Sequence, residues 1–426
     1  MGVLASIVRC HDMAAESSRH TILFVHNSND LYGADVVLLN LIRGLDRKQF
    51  RAIVALPADV RHINRLSAKL EALKIPFYFL PLGIIRRRYL TVRGILRLLA
   101  DLGRGIVALN SLIRRERVDI VHSNTLTVMA GPIAARLSGR PHIWHIHEIV
   151  STQGPSRKVL HWIAAHVGGQ LVTVSDAVRK HILLDQPRAG AIIKTIHNGI
   201  DLSPFLEAES GTRVRQELGI PNEALAIGTV GRVSHLKGQF LFAEAAHKVL
   251  ARYPDVYFVA IGGVFDNEFH HMAALKDLVA SLSIKNFKIC DFREDVAAAM
   301  AAFNVFVLPS ILPESFPTVI IEAMASGLPV IAAETGGVPE MVVPGKTGIL
   351  FHPGEVDELE SAILCLIRDE AARKAMGLAA RERAVEAFRL SRFAHEFEEL
   401  YGSLLSETEE RPIAYAEPKI TSFGKR

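Results

Sequence analysis

The chain has 426 residues, of which 49% are apolar and 22% charged, as in a globular protein with room for two ordinary domains. Lys and Arg total 49 against 45 Asp and Glu, and the formal charge of +4 is too small to indicate nucleic-acid binding. The three cysteines lie far apart with no CxxC pair, which argues against a disulfide framework or a zinc site and favours a reducing compartment.

The N-terminus is predicted to be a flexible leader over residues 1–19. Its short apolar piece, VLASIV, is followed at once by His11 and Asp12, which is unlike a signal peptide. No apolar run reaches the roughly 18 residues that a membrane-spanning helix needs. We therefore expect a cytoplasmic protein.

Apolar runs alternate with amphipathic stretches from residue 20 onward, a pattern typical of parallel sheets flanked by helices. Strands are predicted in the first half at 21–27, 51–57, 77–82, 119–123, 142–147 and 170–175. The pattern then starts again, with strands predicted at 224–231, 256–263, 286–291, 304–310 and 328–334. The predicted fold class is therefore α/β, with two doubly wound, Rossmann-like parallel-sheet domains, 20–200 and 201–390, that face each other across a cleft.

The domain junction and the C-terminal end complete this organisation. Asn-Gly and Ser-Pro pairs within 197–205 predict a hinge. A long charged helix is predicted over 370–406, and the segment 391–408 is expected to pack back on the N-terminal domain. Residues 409–426 contain few apolar side chains and are predicted to be a disordered tail.

Ligands of doubly wound sheets bind beyond the carboxyl ends of the strands, so residues that follow a strand are candidates for a site. After the strand at 224–231, Arg232 and Lys237 precede a helix that opens at Gly238. Two cations beside a helix N-terminus suit a phosphate group. The alternative is that both are ordinary surface cations.

The stretch ESFPTVIIEAMASG, residues 314–327, places Glu314 before a helix and Glu322 inside it. Pro317 suits the first turn of this helix, predicted over 317–326. At about 100° per residue the helix is apolar nearly all round, except for a narrow stripe that holds Glu322. A buried carboxylate needs hydrogen-bond donors, which the ribose hydroxyls of a nucleotide would provide. A structural salt bridge is the alternative.

Two features of the first half also lie at strand ends. Gly33 begins a helix whose backbone N–H groups would face an anion. His145 and His147 lie on one face of a predicted strand, with His147 at its carboxyl end. Metal binding is an alternative for this pair, but further ligands do not follow nearby and the sequence has no Asp-x-Asp pair. We expect no metal.

The segment 86–117 contains nine arginines against two acidic residues. A solvated helix surface is the simpler interpretation. The functional interpretation is a patch for anionic lipid or for an anionic acceptor.

These motifs together resemble those of the retaining glycosyltransferases of family 4, also called group 1, which have the GT-B fold. Glu314 and Glu322, continued by EAMASGLPVIAAETGGVPEMV, resemble that family's paired glutamates, and GRVSHLKG resembles its phosphate motif. IHNGID and VTVSDAVRKHI resemble landmarks near the domain junction, so the resemblance covers roughly residues 21–400. Pro317 departs from the pattern because glycine is common there, and Tyr32 and Glu148 stand where Gly and Asp are frequent.

The resemblance implies a site for a nucleotide diphosphate sugar, with UDP or GDP as the nucleotide and no cofactor or metal. The implied donor-binding residues are Gly33, Arg232, Lys237, Phe292, Arg293, Glu314, Phe316, Thr318 and Glu322. The residues implied to act in catalysis are His147, Glu314, Arg232 and Lys237.

The implied roles divide these residues along the donor. Arg232 and Lys237 would neutralise the diphosphate, together with the backbone N–H groups of Phe316 and Thr318. The ribose would be held by Glu322, and the transferring sugar by Glu314 and His147. The loop that contains Phe292 and Arg293 would contact the base.

The implied activity is transfer of a hexose to an acceptor hydroxyl with retained anomeric configuration, in polysaccharide or lipid-linked glycan biosynthesis. The expected partners are the donor and a glycan or lipid-linked acceptor, with peripheral contact between 86–117 and an anionic membrane at its inner face. Two other classes stay open. One is another GT-B enzyme, such as a nucleotide-sugar epimerase or a sugar phosphorylase, and the other is a non-catalytic nucleotide-sugar-binding subunit.

Overall fold

The computed structural model describes residues 19–86, 91–150, 155–208, 211–264 and 268–410. The predicted leader, apart from Arg19, lies outside these residues. So do the predicted tail beyond residue 410 and two of the arginines in the segment 86–117, Arg87 and Arg88.

An entirely parallel seven-stranded sheet forms the centre of the N-terminal domain, in the order β3-β2-β1-β4-β5-β6-β7. Its strands are β1 (His20–Val25), β2 (Phe50–Pro57), β3 (Phe77–Leu80), β4 (Ile120–Asn124), β5 (His142–Ile146), β6 (Gln170–Thr173) and β7 (Ile193–Thr195). The helices between them are α1 (Gly33–Gly44), α2 (Arg65–Ala72), α3 (Val92–Arg115), α4 (Ala130–Ser138), α5 (Pro155–Val167) and α6 (Asp176–Asp185). The apolar run of β1 is buried on both faces, as expected of a central parallel strand.

The C-terminal domain repeats this plan with six parallel strands in the order β10-β9-β8-β11-β12-β13. They are β8 (Ala226–Val230), β9 (Tyr257–Ile261), β10 (Phe287–Cys290), β11 (Val305–Leu308), β12 (Val330–Ala333) and β13 (Gly348–Phe351). The accompanying helices are α7 (Ser203–Leu206), α8 (Thr212–Leu218), α9 (Gln239–Leu250), α10 (Phe269–Ser281), α11 (Val296–Ala301), α12 (Thr318–Ala325), α13 (Val338–Met341) and α14 (Val356–Arg368). The predicted fold class, two doubly wound parallel sheets, is confirmed.

The prediction of one long helix over 370–406 is wrong. The chain forms α15 (Glu370–Ala387) and α16 (Leu390–Glu410), with a break at Phe388 and Arg389. The break has a tertiary cause, because the carbonyl of Phe388 accepts a 3.0 Å hydrogen bond from the backbone N–H of Ile200 in the interdomain linker. After the break, α16 lies on the N-terminal domain.

Several contacts join the two domains where their strand ends face each other. The backbone N–H of Ile149 donates to Ser315 Oγ at 3.2 Å, and the ring of His197 stacks on Phe316 at 4.8 Å between centroids. The Glu340 carboxylate reaches across to the first turn of α6, where it accepts two backbone N–H bonds of 2.8 Å each. These contacts fix the loop between β11 and α12 at the meeting point of the domains.

Candidate active site

The loop after β8 carries the two predicted phosphate-binding cations, and one glycine determines its path. Gly238 caps the N-terminus of α9 with a φ of 77°, and a Cβ there would overlap the carbonyl oxygen of Pro309. Only glycine combines this backbone angle with so close a contact. The loop after β8 is therefore held against the loop after β11, and Lys237 comes within reach of Glu314.

Lys237 and Glu314 form an ion pair, with Nζ 2.6 Å from Oε1. The fully buried Ser310 also donates to Glu314 Oε1, at 2.6 Å. The backbone carbonyl of Glu314 accepts a 2.7 Å bond from Gly337 N–H. The structure thus brings the predicted diphosphate cation and the predicted sugar-binding carboxylate together as one fixed unit.

Arg232, the second cation, donates from a guanidinium nitrogen to Glu268 Oε2 at 2.7 Å. Arg232 also lies close enough to Tyr32, in the loop before α1, to favour a lower pKa of the Tyr32 phenol. Burial and the neighbouring Asp30 have the larger effect, so the pKa of Tyr32 is raised. Partly exposed ion pairs are worth about 0–1 kcal/mol. A bound diphosphate can therefore replace Glu268 or Glu314 as the partner of its cation at little cost.

The N-terminus of α12 opens between these cations and the domain interface. Pro317 is the N-cap, so the helix begins at Thr318, one residue later than predicted. Within the described chain no side chain caps this end. The backbone N–H of Thr318 is then the first of the helix, and the partial positive charge of the helix end favours an anion there. The Phe316 ring stacks on His197, and the predicted phosphate contact of its backbone N–H stays a prediction.

Glu322 lies one turn into α12, where the Thr318 side chain donates to it. Burial raises the pKa of the Glu322 carboxyl to about 7, and the residue keeps partial contact with solvent. The described residues provide no ion-pair partner for it, which disfavours the structural salt bridge. A carboxylate in this state has unused acceptor capacity for a ligand.

On the N-terminal side, His147 is part of a chain of hydrogen bonds. Its Nε2 lies 2.7 Å from Asn124 Oδ1, while Asn124 Nδ2 lies 3.0 Å from His26 Nδ1. His26 Nε2 is 2.7 Å from Asp35, whose other oxygen accepts from the backbone N–H of Tyr32. The Asn124 amide nitrogen donates to His26, and its oxygen can only accept, so His147 must donate to that oxygen from Nε2. In the neutral ring, Nδ1 of His147 is then an acceptor.

This network connects His147 with the start of α1 and holds it neutral. Burial lowers the pKa of His147 to about 3. Gly33, the first residue of α1, is exposed, and a Cβ there would meet nothing within 4 Å. Open space therefore lies beside the Gly33 backbone, as a ligand-binding loop requires.

The metal interpretation of His145 and His147 gains no support from the geometry. The two rings are 4.1 Å apart between centroids, and His145 is fully enclosed in the domain. In the ranges that the structure describes, no three His, Cys, Asp or Glu side chains are grouped so that they could hold a metal ion.

The predicted base loop after β10 contains one exposed and one engaged side chain. Phe292 is 66% exposed, and its Cβ lies 3.3 Å from where a Cβ on Gly263 would be. Arg293 is held by Asp295 at 2.8 Å and by Glu217 at 2.7 Å, and these hydrogen bonds raise the pKa of Arg293. Of the two predicted residues, Phe292 has its side chain exposed to solvent, whereas Arg293 is held by carboxylates of its surroundings.

Sequence reasoning missed several side chains that complete the site. Asn124 and Ser310 directly follow or end predicted strands, so the rule that pointed to Arg232 would also have found them. Glu268 and Glu340 carried no such signal, because their roles depend on loops and domains meeting in space.

Two family models match the chain, one on each domain. The model described as Glycosyltransferase Family 4 matches residues 32–204, and that of Glycosyl transferases group 1 matches residues 211–383. The two parallel-sheet domains, with cations and carboxylates beyond the strand ends, agree with both models. The chain belongs to the group 1 glycosyltransferases of family 4.

Individual relatives agree with this assignment. Alpha-maltose-1-phosphate synthase of Mycolicibacterium smegmatis is 29% identical over 69% of this chain and 81% of that protein. The UDP-Gal:alpha-D-GlcNAc-diphosphoundecaprenol alpha-1,3-galactosyltransferase of Escherichia coli is 27% identical over 86% of this chain and 96% of its own length.

A solved structure supports the fold over nearly the whole chain. The crystal structure of Anabaena HepE in complex with UDP-glucose superposes with a TM-score of 0.76 at 26% identity. It covers 90% of this chain and 99% of that one. The activity of the present protein is accordingly glycosyl transfer in glycan biosynthesis.

Proposed function

We propose that the protein transfers a hexose from a nucleotide diphosphate sugar to an acceptor hydroxyl, with retention of the anomeric configuration. The observation that carries this proposal is the position of Arg232 and Lys237 at the carboxyl end of the C-terminal sheet, beside the open N-terminus of α12. Two cations and a helix end at one place suit a diphosphate. The UDP-glucose complex of HepE and the UDP-Gal donor in the name of the E. coli relative support a UDP-sugar.

The chemistry follows from where charge develops. As the bond between sugar C1 and phosphate breaks, negative charge grows on the diphosphate while the sugar becomes positively polarised. In this proposal Arg232, Lys237 and the Thr318 N–H stabilise the leaving group once the cleft has closed. We propose that these groups perform the neutralisation without a divalent metal.

The sugar and the ribose occupy the two sides of the diphosphate in this proposal. Glu314, once Lys237 turns to the phosphate, accepts hydrogen bonds from hydroxyls of the sugar, and His147 Nδ1 accepts another from the N-terminal side. Glu322 accepts from the ribose, and Phe292 contacts the base. Bending of the linker at 197–205 would close the domains around the donor.

A donor screen tests the proposal. Thermal unfolding is measured with UDP-, GDP- and ADP-sugars, since a donor that binds the folded state raises its midpoint by mass action. We expect stabilisation by UDP-sugars that persists in EDTA. Absence of stabilisation by any sugar nucleotide would overturn the proposal.

Product analysis then separates retaining transfer from the two other classes. NMR of the product should show the anomeric configuration of the donor. Products formed from the donor alone, or a requirement for free phosphate, would indicate an epimerase or a phosphorylase. Tight donor binding without transfer to any glycan or lipid extract would indicate a binding subunit.

The acceptor is proposed to be a glycan or a lipid-linked glycan, with the enzyme in the cytoplasm at the inner face of a membrane. The diphosphoundecaprenol in the name of the E. coli relative supports a lipid-linked acceptor. Among the helices that the structure describes, none is long and apolar enough to cross a membrane.

A further inference from the structure

The first half of α3 carries large apolar side chains that the protein leaves uncovered. Val92 is 78% exposed, Ile95 46%, Leu96 63% and Leu99 57%. The buried residues of this helix, Gly105, Leu109, Leu112 and Ile113, all belong to its second half. The C-terminal part of the helix thus packs on the domain, while its N-terminal turns are exposed to solvent.

The exposed residues form one face with a basic strip beside it. At about 100° per residue, Val92, Ile95, Leu96 and Leu99 fall within about 100° of one another around the helix. Arg93, Arg97 and Arg104 follow along one side of that face, and each is exposed. The acidic residue in this part of the helix, Asp101, already pairs with Arg97 at 3.8 Å and Arg104 at 2.8 Å. An apolar face edged by arginines is the pattern of a helix that lies in the headgroup region of an anionic bilayer.

The described chain that precedes this helix, ending at Arg86, lies at the strand ends of the N-terminal domain. Ile85 N–H donates to the carbonyl of Thr127 and the Arg86 guanidinium donates to the carbonyl of Asn27. Asn27 and Thr127 follow β1 and β4, the strands whose ends carry the His147 network. The helix thus belongs to the connection that follows this edge of the site by a few residues.

The contacts of individual arginines show which part of the segment 86–117 could bind anionic lipid. Arg86 is engaged with Asp59 at 3.1 Å and with Asn27, inside the domain. Arg115 pairs with Glu116 at 3.2 Å and lies over the Tyr78 ring. The exposed charges that accompany apolar side chains are instead those of the first three turns of α3.

We propose that Val92, Ile95, Leu96 and Leu99, with Arg93 and Arg97, form a docking surface for anionic lipid membranes. The apolar side chains enter the acyl boundary, and the arginines pair with lipid phosphates. The positive charge of the arginine strip is complementary to an anionic membrane. It favours a membrane over a second copy of this chain, since in a symmetric dimer the arginine strips of the two copies would lie against each other and repel. The link to a lipid-linked acceptor rests on the proposed function, whereas membrane binding itself does not.

Vesicle flotation tests this surface with the full-length protein. Vesicles of equal parts phosphatidylglycerol and phosphatidylcholine are compared with phosphatidylcholine alone. We expect binding to the anionic vesicles that weakens as salt is raised. The combined variant I95Q/L96Q/L99Q should bind them at least tenfold less. The control is L378Q on α15, because Leu378 is 65% exposed and matches Leu96 in size and exposure.

A second variant separates the charges from the apolar contact. R93Q/R97Q should lower binding to anionic vesicles about fivefold for each arginine removed, which corresponds to about 1 kcal/mol each. It leaves the apolar face intact, so the test does not depend on the folding of the leucine variant. Equal binding by the wild type and both variants, or equal binding to neutral and anionic vesicles, would overturn the proposal. So would a dimer, seen by light scattering, that I95Q/L96Q/L99Q abolishes while vesicle binding is unchanged.

Stabilisation by UDP is measured for each variant in parallel. We expect it to be unchanged, because none of the predicted donor-binding residues lies on α3. Membrane binding without any UDP effect in the wild type would contradict the proposed function and leave the docking surface intact.

Discussion

The two halves of the site solve the same problem, holding a polar ligand, with opposite electrostatics. In the C-terminal domain the two predicted phosphate-binding cations are partly exposed, and each is paired with a carboxylate, Arg232 with Glu268 and Lys237 with Glu314. In the N-terminal domain His147 is uncharged, since burial lowers its pKa to about 3, and Asp35, the carboxylate of its network, is separated from it by Asn124 and His26. Charge is found where a diphosphate would bind, and neutral hydrogen-bonding groups where hydroxyls would bind.

Solvation explains why each half can keep its state. Partial exposure lets a cation stay ionised without a large desolvation penalty, and its carboxylate partner keeps it in position until an anion arrives. Burial penalises the charged form of an imidazole, so His147 stays neutral. A neutral histidine does not attract the departing diphosphate away from the cations of the other domain.

The largest expected effect comes from removing a charge on the donor side. Lys237→Ala should lower turnover roughly 10²–10³-fold, because one preorganised donor to the leaving group is lost. The fold should persist, since a partly exposed ion pair contributes only about 0–1 kcal/mol. Turnover at saturating donor and the thermal midpoint are the measurements.

Lys248→Ala is the matched control for that variant. Lys248 also forms an ion pair with a carboxylate, Asp357, but on the outer surface of α9 and α14. It should keep wild-type turnover. Near-normal turnover in the Lys237 variant would remove the leaving-group role and the contrast between the two halves with it.

Glu322→Gln should have the next largest effect, on nucleotide affinity. Losing a charged acceptor for the ribose corresponds to about 1.5–3 kcal/mol, or about ten- to a hundredfold weaker binding of free UDP by calorimetry. Because the pKa of Glu322 is about 7, UDP affinity of the wild type should fall as the pH drops below 7. The Gln variant should lack the part of this fall that is due to Glu322 and keep only the part due to protonation of the terminal phosphate of UDP. A variant that is merely less stable, with unchanged affinity, would show that Glu322 is structural.

The same substitution gives a stability test with a defined sign. The folded-state pKa of Glu322 lies above its ordinary value of 4.5, so the native state binds the proton more tightly than the unfolded state. Its contribution to the unfolding free energy is therefore present at low pH and is lost as the pH rises through about 7. The donor-free Gln variant should lack this loss and should unfold at a higher temperature than the wild type at pH 8.

The smallest effect is expected on the neutral side. His147→Ala removes one uncharged hydrogen bond to the sugar and should lower kcat/KM about fivefold, in line with about 1 kcal/mol per such bond. Since the pKa of His147 is about 3, this residue should produce no break in the pH–rate profile between pH 5 and 8. A break in that range that disappears in the variant would mean that His147 is ionised in the working enzyme.

Much of the fold was predictable because its central strands are continuous apolar runs. The apolar side chains of a strand such as β1 point to both faces of the sheet, so both faces have to be covered. The edge strands β7 and β13 escaped prediction because they are short and each depends on a single neighbour. The helix break at Phe388 escaped it because its hydrogen-bond partner, Ile200, lies far away in the sequence.

The site was predictable only as far as strand ends reveal it. Arg232, Lys237 and Glu314 were placed correctly beyond the strands, yet their pairing depends on the contact of Gly238 with Pro309, which no sequence pattern encodes. Arg293 lies on the loop where it was predicted to contact the base, but it forms ion pairs with Asp295 and Glu217, which the sequence pattern did not reveal. The individual donor contacts remain predictions.

The return of α16 to the first domain has a consequence for how the protein is made. Phe393, Phe397 and Tyr401 pack into the same core as Phe24 and Leu38, and the Tyr401 hydroxyl lies 2.8 Å from Nδ1 of the buried His122. A ribosome releases residues 20–200 long before these aromatic side chains are synthesised. Part of the apolar surface of the first domain therefore stays uncovered until α16 has been synthesised. Only then can both domains reach their final stability together.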